Sequence, residues 1–228
     1  MIAILDIARK IYRTVVPRFV RNSSLVKAVK QAVLPHDAIY NSEYYGTTVE
    51  APAVRSSSAI SESIVTDFSP SRVIDVGCGT GALLEAFRQR GCEVFGLEYS
   101  KAALEYCRHR QLSVSQFDLE KDVYNDNGIF DVAISMEVAE HLPERVSDRY
   151  VDLLSHLSQN IVFTAAPPGQ GGTDHVNEQP PSYWIDKFYQ RGFDLDERLS
   201  NSWREQWKAG GNVESWYYQN LMVFRKSK

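Results

Sequence analysis

The stretch Met136-Glu137-Val138-Ala139-Glu140-His141-Leu142 places two carboxylates and an imidazole within five residues. Read as a helix beginning near Glu137, positions i, i+3 and i+4 share one face, which predicts that Glu137, Glu140 and His141 converge. Groups of that kind repel one another or hold a cation. An oxygen-rich set with one or two imidazoles favours Mg²⁺ or Mn²⁺, and Zn²⁺ when a second nitrogen joins. His175, in the loop 167–181, offers that nitrogen. The metal-ligand candidates are therefore Glu137, Glu140, His141 and His175. Without a metal, His141 and His175 are the candidate general bases, because an imidazole titrates near neutrality. A third reading gives the cluster no chemistry: Glu137 caps a helix N-terminus, Glu140 makes a surface pair and His141 packs under a loop.

These residues need a frame to hold them. In Val73 to Phe87, VIDVGCGTGALLEAF, apolar residues interrupted by Asp75 run into Gly77-Cys78-Gly79-Thr80-Gly81 and then into a helix-forming run. The pattern predicts strand, tight turn and helix, with a backbone able to approach a ligand closely. The glycines fall G-x-G-x-G, not the G-x-G-x-x-G of a pyrophosphate-binding turn, which disfavours a dehydrogenase. Asp75, two residues before the first glycine, suits a cationic or ammonium-bearing ligand. A second strand pattern, Glu93 to Ser100, carries Glu98 near its end, seventeen residues after Gly81. A third, Leu112 to Phe117, ends at Asp118, and a fourth, Phe130 to Ser135, opens into Met136 and Glu137. Spacing at βα intervals puts all of these polar ends at the carboxyl edge of one parallel sheet, where open α/β folds bind ligands.

Taken in order, the glycine turn with Asp75, then Glu98, Asp118 and Met136-Glu137, resembles the class I S-adenosylmethionine-dependent methyltransferases over about residues 40 to 226. The resemblance implies an α/β, doubly wound, seven-stranded and mostly parallel Rossmann-like sheet whose last strand is antiparallel. It also implies S-adenosylmethionine held by Asp75, Gly77, Cys78, Gly79, Gly81, Glu98, Tyr99, Asp118, Leu119 and Met136. Glu98 then bonds the ribose hydroxyls and Asp118 the adenine amine. Tyr44 and Tyr45 touch the methionine end or the acceptor, or else pack a lid helix on the core. The run Glu137-Val138-Ala139-Glu140-His141-Leu142 is similar to that of ubiquinone-type O-methyltransferases and of many sugar and natural-product enzymes. Glu-x-x-Glu-His with a later histidine also resembles the divalent-metal site of small-RNA 3′-terminal ribose 2′-O-methyltransferases. Here Asp174-His175-Val176-Asn177 holds one histidine where that group tends to have more. The body is also acidic, a poor surface for phosphates. The expectation is O-methylation of a sugar or other small vicinal diol, with metal assistance. N- or C-methylation without metal, RNA ribose methylation and a non-catalytic binding subunit are the alternatives.

Composition sets outer limits. The 228 residues, 43% of them hydrophobic, suit one sizeable α/β domain with additions. No apolar run approaches the roughly 18 residues of a spanning helix. Cys78, Cys92 and Cys107 form neither a disulfide framework nor a metal spacing, which predicts reduced thiols in a cytoplasmic protein. Net charge is −4, yet residues 1–30 hold seven basic side chains and one acid, +6, leaving −10 for the rest. Met1 to Phe19 reads as a basic amphipathic helix, suited to an anionic membrane surface or to docking on the body or a second subunit. The expected organisation is an extension over 1–37 and a methyltransferase domain over 38–228, with the loop 167–181 and an insertion at 196–215 as substrate lid. Further helices are expected over Ala51–Phe68, Ala102–Arg110, Arg145–Leu157 and Pro181–Arg191, and strands over Asn160–Ala165, Phe193–Leu195 and Trp216–Phe224. Asp174, Asn177, Tyr183 and Trp184 flank the candidate loop and are candidate substrate contacts, and Trp184 suits a helix core at least as well. His36, His109 and His156 lie away from the sheet's carboxyl edge and are expected to be solvated.

Overall fold

A computed structural model describes residues 39–125 and 129–227. The expected basic helix over Met1 to Phe19 lies outside the described residues, as does His36. Seven strands form one sheet in the order β3-β2-β1-β4-β5-β7-β6. They are β1 (Arg72–Val76), β2 (Glu93–Glu98), β3 (Val114–Gln116), β4 (Val132–Met136), β5 (Asn160–Thr164), β6 (Phe193–Leu195) and β7 (Met222–Lys226). β1 pairs in parallel with β2 and β4, β2 with β3, and β4 with β5, while β7 runs antiparallel to both β5 and β6. The chain order therefore reverses between β1 and β4, and a crevice opens at their carboxyl ends.

Helices cover both faces, so the central strands read as continuous apolar runs. They are α1 (Glu50–Phe68), α2 (Ala82–Gln89), α3 (Lys101–His109), α4 (Ser147–Leu157), α5 (Pro181–Tyr189), α6 (Glu197–Gly210) and α7 (Ser215–Asn220). Local signals start several of them. Ser100 accepts from the Ala103 amide at the head of α3, Asp196 accepts from the Leu199 amide at the head of α6, and Pro181 opens α5. Alternation along β1 sends Val73 into a core with Ile64, Leu84, Phe87 and Trp207, and Ile74 and Val76 into a second core with Tyr150, Leu154, Phe163 and Trp184.

Two expectations change. The segment 196–215 is no lid: α6 packs on α1, burying Trp203 and Trp207, whose indole N–H groups donate to Asp67 Oδ2 (2.7 Å) and Ser63 Oγ (2.9 Å). Two large rings four residues apart on one helical face seek the core before solvent. The stretch Trp216–Phe224 is not one strand either. Its first part is α7, Leu221 is extended, and β7 begins at Met222. Among the described residues no helix is long and apolar enough to cross a membrane.

Candidate active site

The glycine turn hangs from β2. The Gly77 and Cys78 amides both donate to the Leu97 carbonyl, at 2.8 and 3.1 Å, and the Gly79 amide donates to Glu98 Oε2 at 2.9 Å. Glu98 Oε1 accepts from the Ser100 amide at 2.7 Å, so one carboxylate ties the turn to the head of α3. Gly77 has no substitute here. Its φ is +78°, and a Cβ added there would lie 2.5 Å from a Val138 methyl. Gly79 (φ +53°) meets nothing closer than Val49 at 3.9 Å, so its backbone faces open space. Burial raises the Glu98 carboxyl against the pull of the Ser100, Gly79 and Tyr99 amides. Burial, and then the charge of Glu98, pushes Asp75 up to about 7.

This turn forms the floor of a cavity of about 690 Å³. Asp75, Gly77, Cys78, Gly79, Glu98, Tyr99, Asp118, Leu119 and Met136, the expected cofactor contacts, all line it. Gly81 does not. It starts α2 in the left-handed region, φ +77°, where a Cβ would meet Leu112 and Cys107, so its glycine serves packing. Asp118 is already engaged: Oδ1 accepts from the Glu120 amide and Oδ2 pairs with Lys121 at 2.8 Å. The Cys78 thiol, beside that of Cys107 and buried, is pushed well above its ordinary value and is no nucleophile.

On the opposite wall stand the candidate chemical groups. Glu140, His141 and His175 offer ligand atoms that all lie within 4.8 Å of one another. No α-helix brings them together. Glu137 takes a left-handed backbone (φ +55°), its amide donating to Thr164 at the end of β5, and a 3₁₀ turn, Ala139–His141, follows. The loop after β5 then folds onto this turn, because the Val176 and Asn177 amides both donate to the Glu140 carbonyl at 2.8 and 3.0 Å. The imidazoles of His141 and His175 meet edge to face, centroids 5.0 Å apart.

Glu137 departs from expectation. It lines the cavity but stands outside the three-residue cluster, with Oε1 accepting from Asn220 (3.0 Å) and Oε2 from Gln170 (2.8 Å). Glu140 is buried, and neither of its carboxylate oxygens has a hydrogen-bond partner. Its carboxyl is raised well above the ordinary range by burial and then by the charge of Glu137, so a cation there would satisfy what the protein leaves unpaired. His141 Nδ1 shares a hydrogen bond with the Tyr40 hydroxyl (2.9 Å), and His175 Nδ1 lies 3.0 Å from Glu178 Oε1. Burial, then the charge of Asp174, raises Tyr40, which stays neutral. Burial also pulls Glu178 upward, yet the Gly169 and Gly171 amides and His175 outweigh it and hold the carboxyl below its usual range.

Tyr44 and Tyr45 line the cavity from the segment over its mouth, with burial and then Glu140 pushing Tyr44 up to about 12. Of the expected substrate contacts, Asp174 lines the cavity. Asn177, Tyr183 and Trp184 do not: Asn177 donates to Ser147 Oγ, and Trp184 is buried between Phe163 and Tyr183. His109 and His156 are exposed, as expected. Sequence reasoning missed Tyr40, Gln170, Glu178 and the α7 residues Trp216 and Tyr217, which also face the cavity or orient its imidazoles. Only Glu178, three residues after His175, left a local trace.

A seven-stranded sheet of this order, with a glycine turn after β1 and a buried acid at the end of β2, defines the class I S-adenosylmethionine-dependent methyltransferase fold. Residues 54–163 match the family described as methyltransferase domain. The ubiquinone biosynthesis O-methyltransferase of Alkalilimnicola ehrlichii is 38% identical over 118 residues, 49% of this chain and 44% of that one. The match spans less than half the length of such curated relatives. Among solved structures, magnesium protoporphyrin IX methyltransferase from Synechocystis, with bound S-adenosylmethionine, superposes with a TM-score of 0.61 at 17% identity, over 86% of this chain and 99% of that one. The CcbJ methyltransferase from Streptomyces caelestis gives 0.61 at 11% identity, over 83% and 98%. At these identities the likeness is one of fold.

Proposed function

We propose that the protein is an S-adenosylmethionine-dependent O-methyltransferase acting on a hydroxyl of a small vicinal diol, sugar-like or catechol-like, with Glu140, His141 and His175 activating the acceptor. One observation carries the reading. The three groups open on the same cavity as the glycine turn and Glu98, so acceptor activation and cofactor cradle share one chamber. The residues present fit the cofactor. Gly79 leaves backbone open to a ligand, Glu98 and Asp118 stand at successive strand ends, and buried Asp75 suits a ligand ammonium. S-adenosylmethionine, when bound, supplies a methyl already activated on a sulfonium.

The new O–C bond forms as the C–S bond breaks, its electron pair passing to sulfur, so the chain must supply alignment and an acceptor oxygen stripped of its proton. An alcohol holds that proton tightly at neutral pH. His141 meets the Tyr40 hydroxyl through Nδ1, and His175 has Nδ1 engaged with Glu178, so at His175 Nε2 is the nitrogen for proton transfer or metal binding. A divalent cation on Glu140, His141 and His175 would supply charge that lowers the pKa of a chelated hydroxyl. Acidic lining from Asp118, Glu120, Glu137 and Asp174, against Lys121, favours an acceptor without anionic groups.

Isothermal titration with S-adenosylhomocysteine, with and without Mg²⁺, Mn²⁺ or Zn²⁺, tests this on wild type and on His141→Ala with Glu140→Ala. Cofactor-product binding by both proteins, metal binding by wild type alone, and methylation of a diol panel dependent on both residues are expected. Turnover of hydroxyl acceptors unaffected by the double change would remove the acceptor-activating role, and no binding of S-adenosylhomocysteine would remove the activity itself.

A further inference from the structure

The loop after β5 closes on a single carboxylate. Glu178 Oε2 accepts from the Gly169 amide at 2.9 Å, and Oε1 accepts from the Gly171 amide at 2.8 Å while lying 3.0 Å from His175 Nδ1. The loop so held is contorted, with positive φ at Gly169 (+92°), Gly171 (+70°) and Asp174 (+61°). On its other side the His175 ring lies against Gly172, where an added Cβ would fall 2.2 Å from Nε2 and 2.5 Å from Cε1. Gly172 does not have a positive φ, so the ring and not the backbone excludes a side chain there. His175 is thus fixed along one edge by Glu178 and along another by bare backbone.

We propose that Glu178 is the positioning residue of this site: by accepting from two loop amides and from His175 Nδ1 it holds His175 in the Nδ1–H tautomer and turns a bare Nε2 toward Glu140 and His141. The proposal rests on the reading of Glu140, His141 and His175 as the acceptor-activating set. Its physics is that of a ligand or base whose second nitrogen is committed to a carboxylate, which selects both tautomer and ring orientation. An amide in place of the carboxylate has one acceptor and one donor end. With its oxygen at the Oε2 place, on the Gly169 amide, it turns an N–H toward Nδ1 and selects the opposite tautomer. With its oxygen at the Oε1 place it keeps His175 but sets an N–H against the Gly169 amide, so the Nδ1–H tautomer is no longer selected alone.

The test uses the full chain carrying Glu178→Gln, Glu178→Ala or Gly172→Ala. Long-range ¹H–¹⁵N spectra of the histidine rings, recorded well above the ordinary imidazole pKa, report the tautomer without metal, with His175→Gln assigning the resonance. His175 is expected as Nδ1–H in wild type and as Nε2–H or a mixture in both Glu178 variants. Titrations with Mn²⁺ and Zn²⁺ are expected to show about 10–100-fold weaker binding in those variants, with S-adenosylhomocysteine affinity within about twofold as the control for an intact domain. Gly172→Ala is expected to weaken metal binding while keeping the tautomer, since it displaces the ring and spares the carboxylate. An unchanged His175 tautomer in both Glu178 variants overturns the proposal. A wild type that binds no metal but changes tautomer on loss of Glu178 overturns the metal-assisted reading and supports the role of Glu178.

Discussion

Gly77→Ala separates two terms at the centre of the site. At φ +78° an alanine costs about 1–2 kcal/mol for the left-handed backbone alone. Its methyl would stand 2.5 and 2.9 Å from the two Val138 methyls, and overpacking of that kind costs about 1–3 kcal/mol more. The sum, about 2–5 kcal/mol, is a large part of a typical domain's stability. For a chain of this size it corresponds to a fall in Tm of about 4–20 °C. Val138→Ala should relieve the second term and leave the first. A double-mutant cycle by urea denaturation is therefore expected to give a coupling of about 1–3 kcal/mol in favour of the pair. Val138 also leads into the 3₁₀ turn that carries Glu140 and His141, so the single change should weaken metal binding as well as S-adenosylhomocysteine binding. Additive single effects, or a Gly77→Ala protein within about 0.5 kcal/mol of wild type, would refute the steric reasoning.

Three further changes probe separate links. Asp75 binds its proton more tightly when folded, about 7 against an ordinary 3.8, so the folded chain holds more protons across that window and stability falls as pH rises through it. The loss reaches about 4 kcal/mol for this fully buried group; a pH series of urea midpoints should show it in wild type and lose it in Asp75→Asn. Glu140→Gln removes a buried carboxylate with no hydrogen-bond partner beside Glu137, so scanning calorimetry should show Tm raised by a few degrees while metal binding and turnover collapse. A lower Tm would mean that the carboxylate is satisfied in solution. Trp207→Ala should cost about 3–5 kcal/mol in chemical denaturation and leave Ser63 without its indole donor; a change below about 1 kcal/mol would restore α6 to a loose lid.

How far the sequence reaches depends on whether the signal is local. The β1 turn is legible because strand, glycines and helix lie within fifteen residues, and each glycine leaves its mark through its own backbone. Strand-end acids are legible because βα alternation forces them to one edge. That same edge argument places His175 beside Glu140 and His141 across more than thirty residues. The i, i+3, i+4 argument for Glu137 fails because it presumes an α-helix, whereas hydrogen bonds from the Glu137 amide to Thr164 favour a left-handed turn first. Tyr40 meets His141 across 101 residues and has no periodic partner to betray it. Trp216-Tyr217-Tyr218 has strand composition, and only tertiary packing makes it helix.

Glu137 loses the part of metal ligand and acquires another. Four non-glycine residues have positive φ among the described ones; Ser69 and Gln111 close helices, but Glu137 and Asp174 stand at the cavity. A left-handed residue without glycine persists where its surroundings over-determine it. At Glu137 those surroundings are visible. Its amide is tied to β5, and its carboxylate takes Gln170 from the loop after β5 and Asn220 from the end of α7, with Asn220 also donating to the Gln170 oxygen at 2.8 Å. One side chain thus fastens the ends of β4 and β5 to the approach to β7. Its negative charge also raises Glu140, whose buried carboxylate is then held where it favours a proton or a cation over being a free anion. The sheet, the strained turn and the acid pair are in this sense one device, and the disfavouring of a free anion at Glu140 follows from the fold itself.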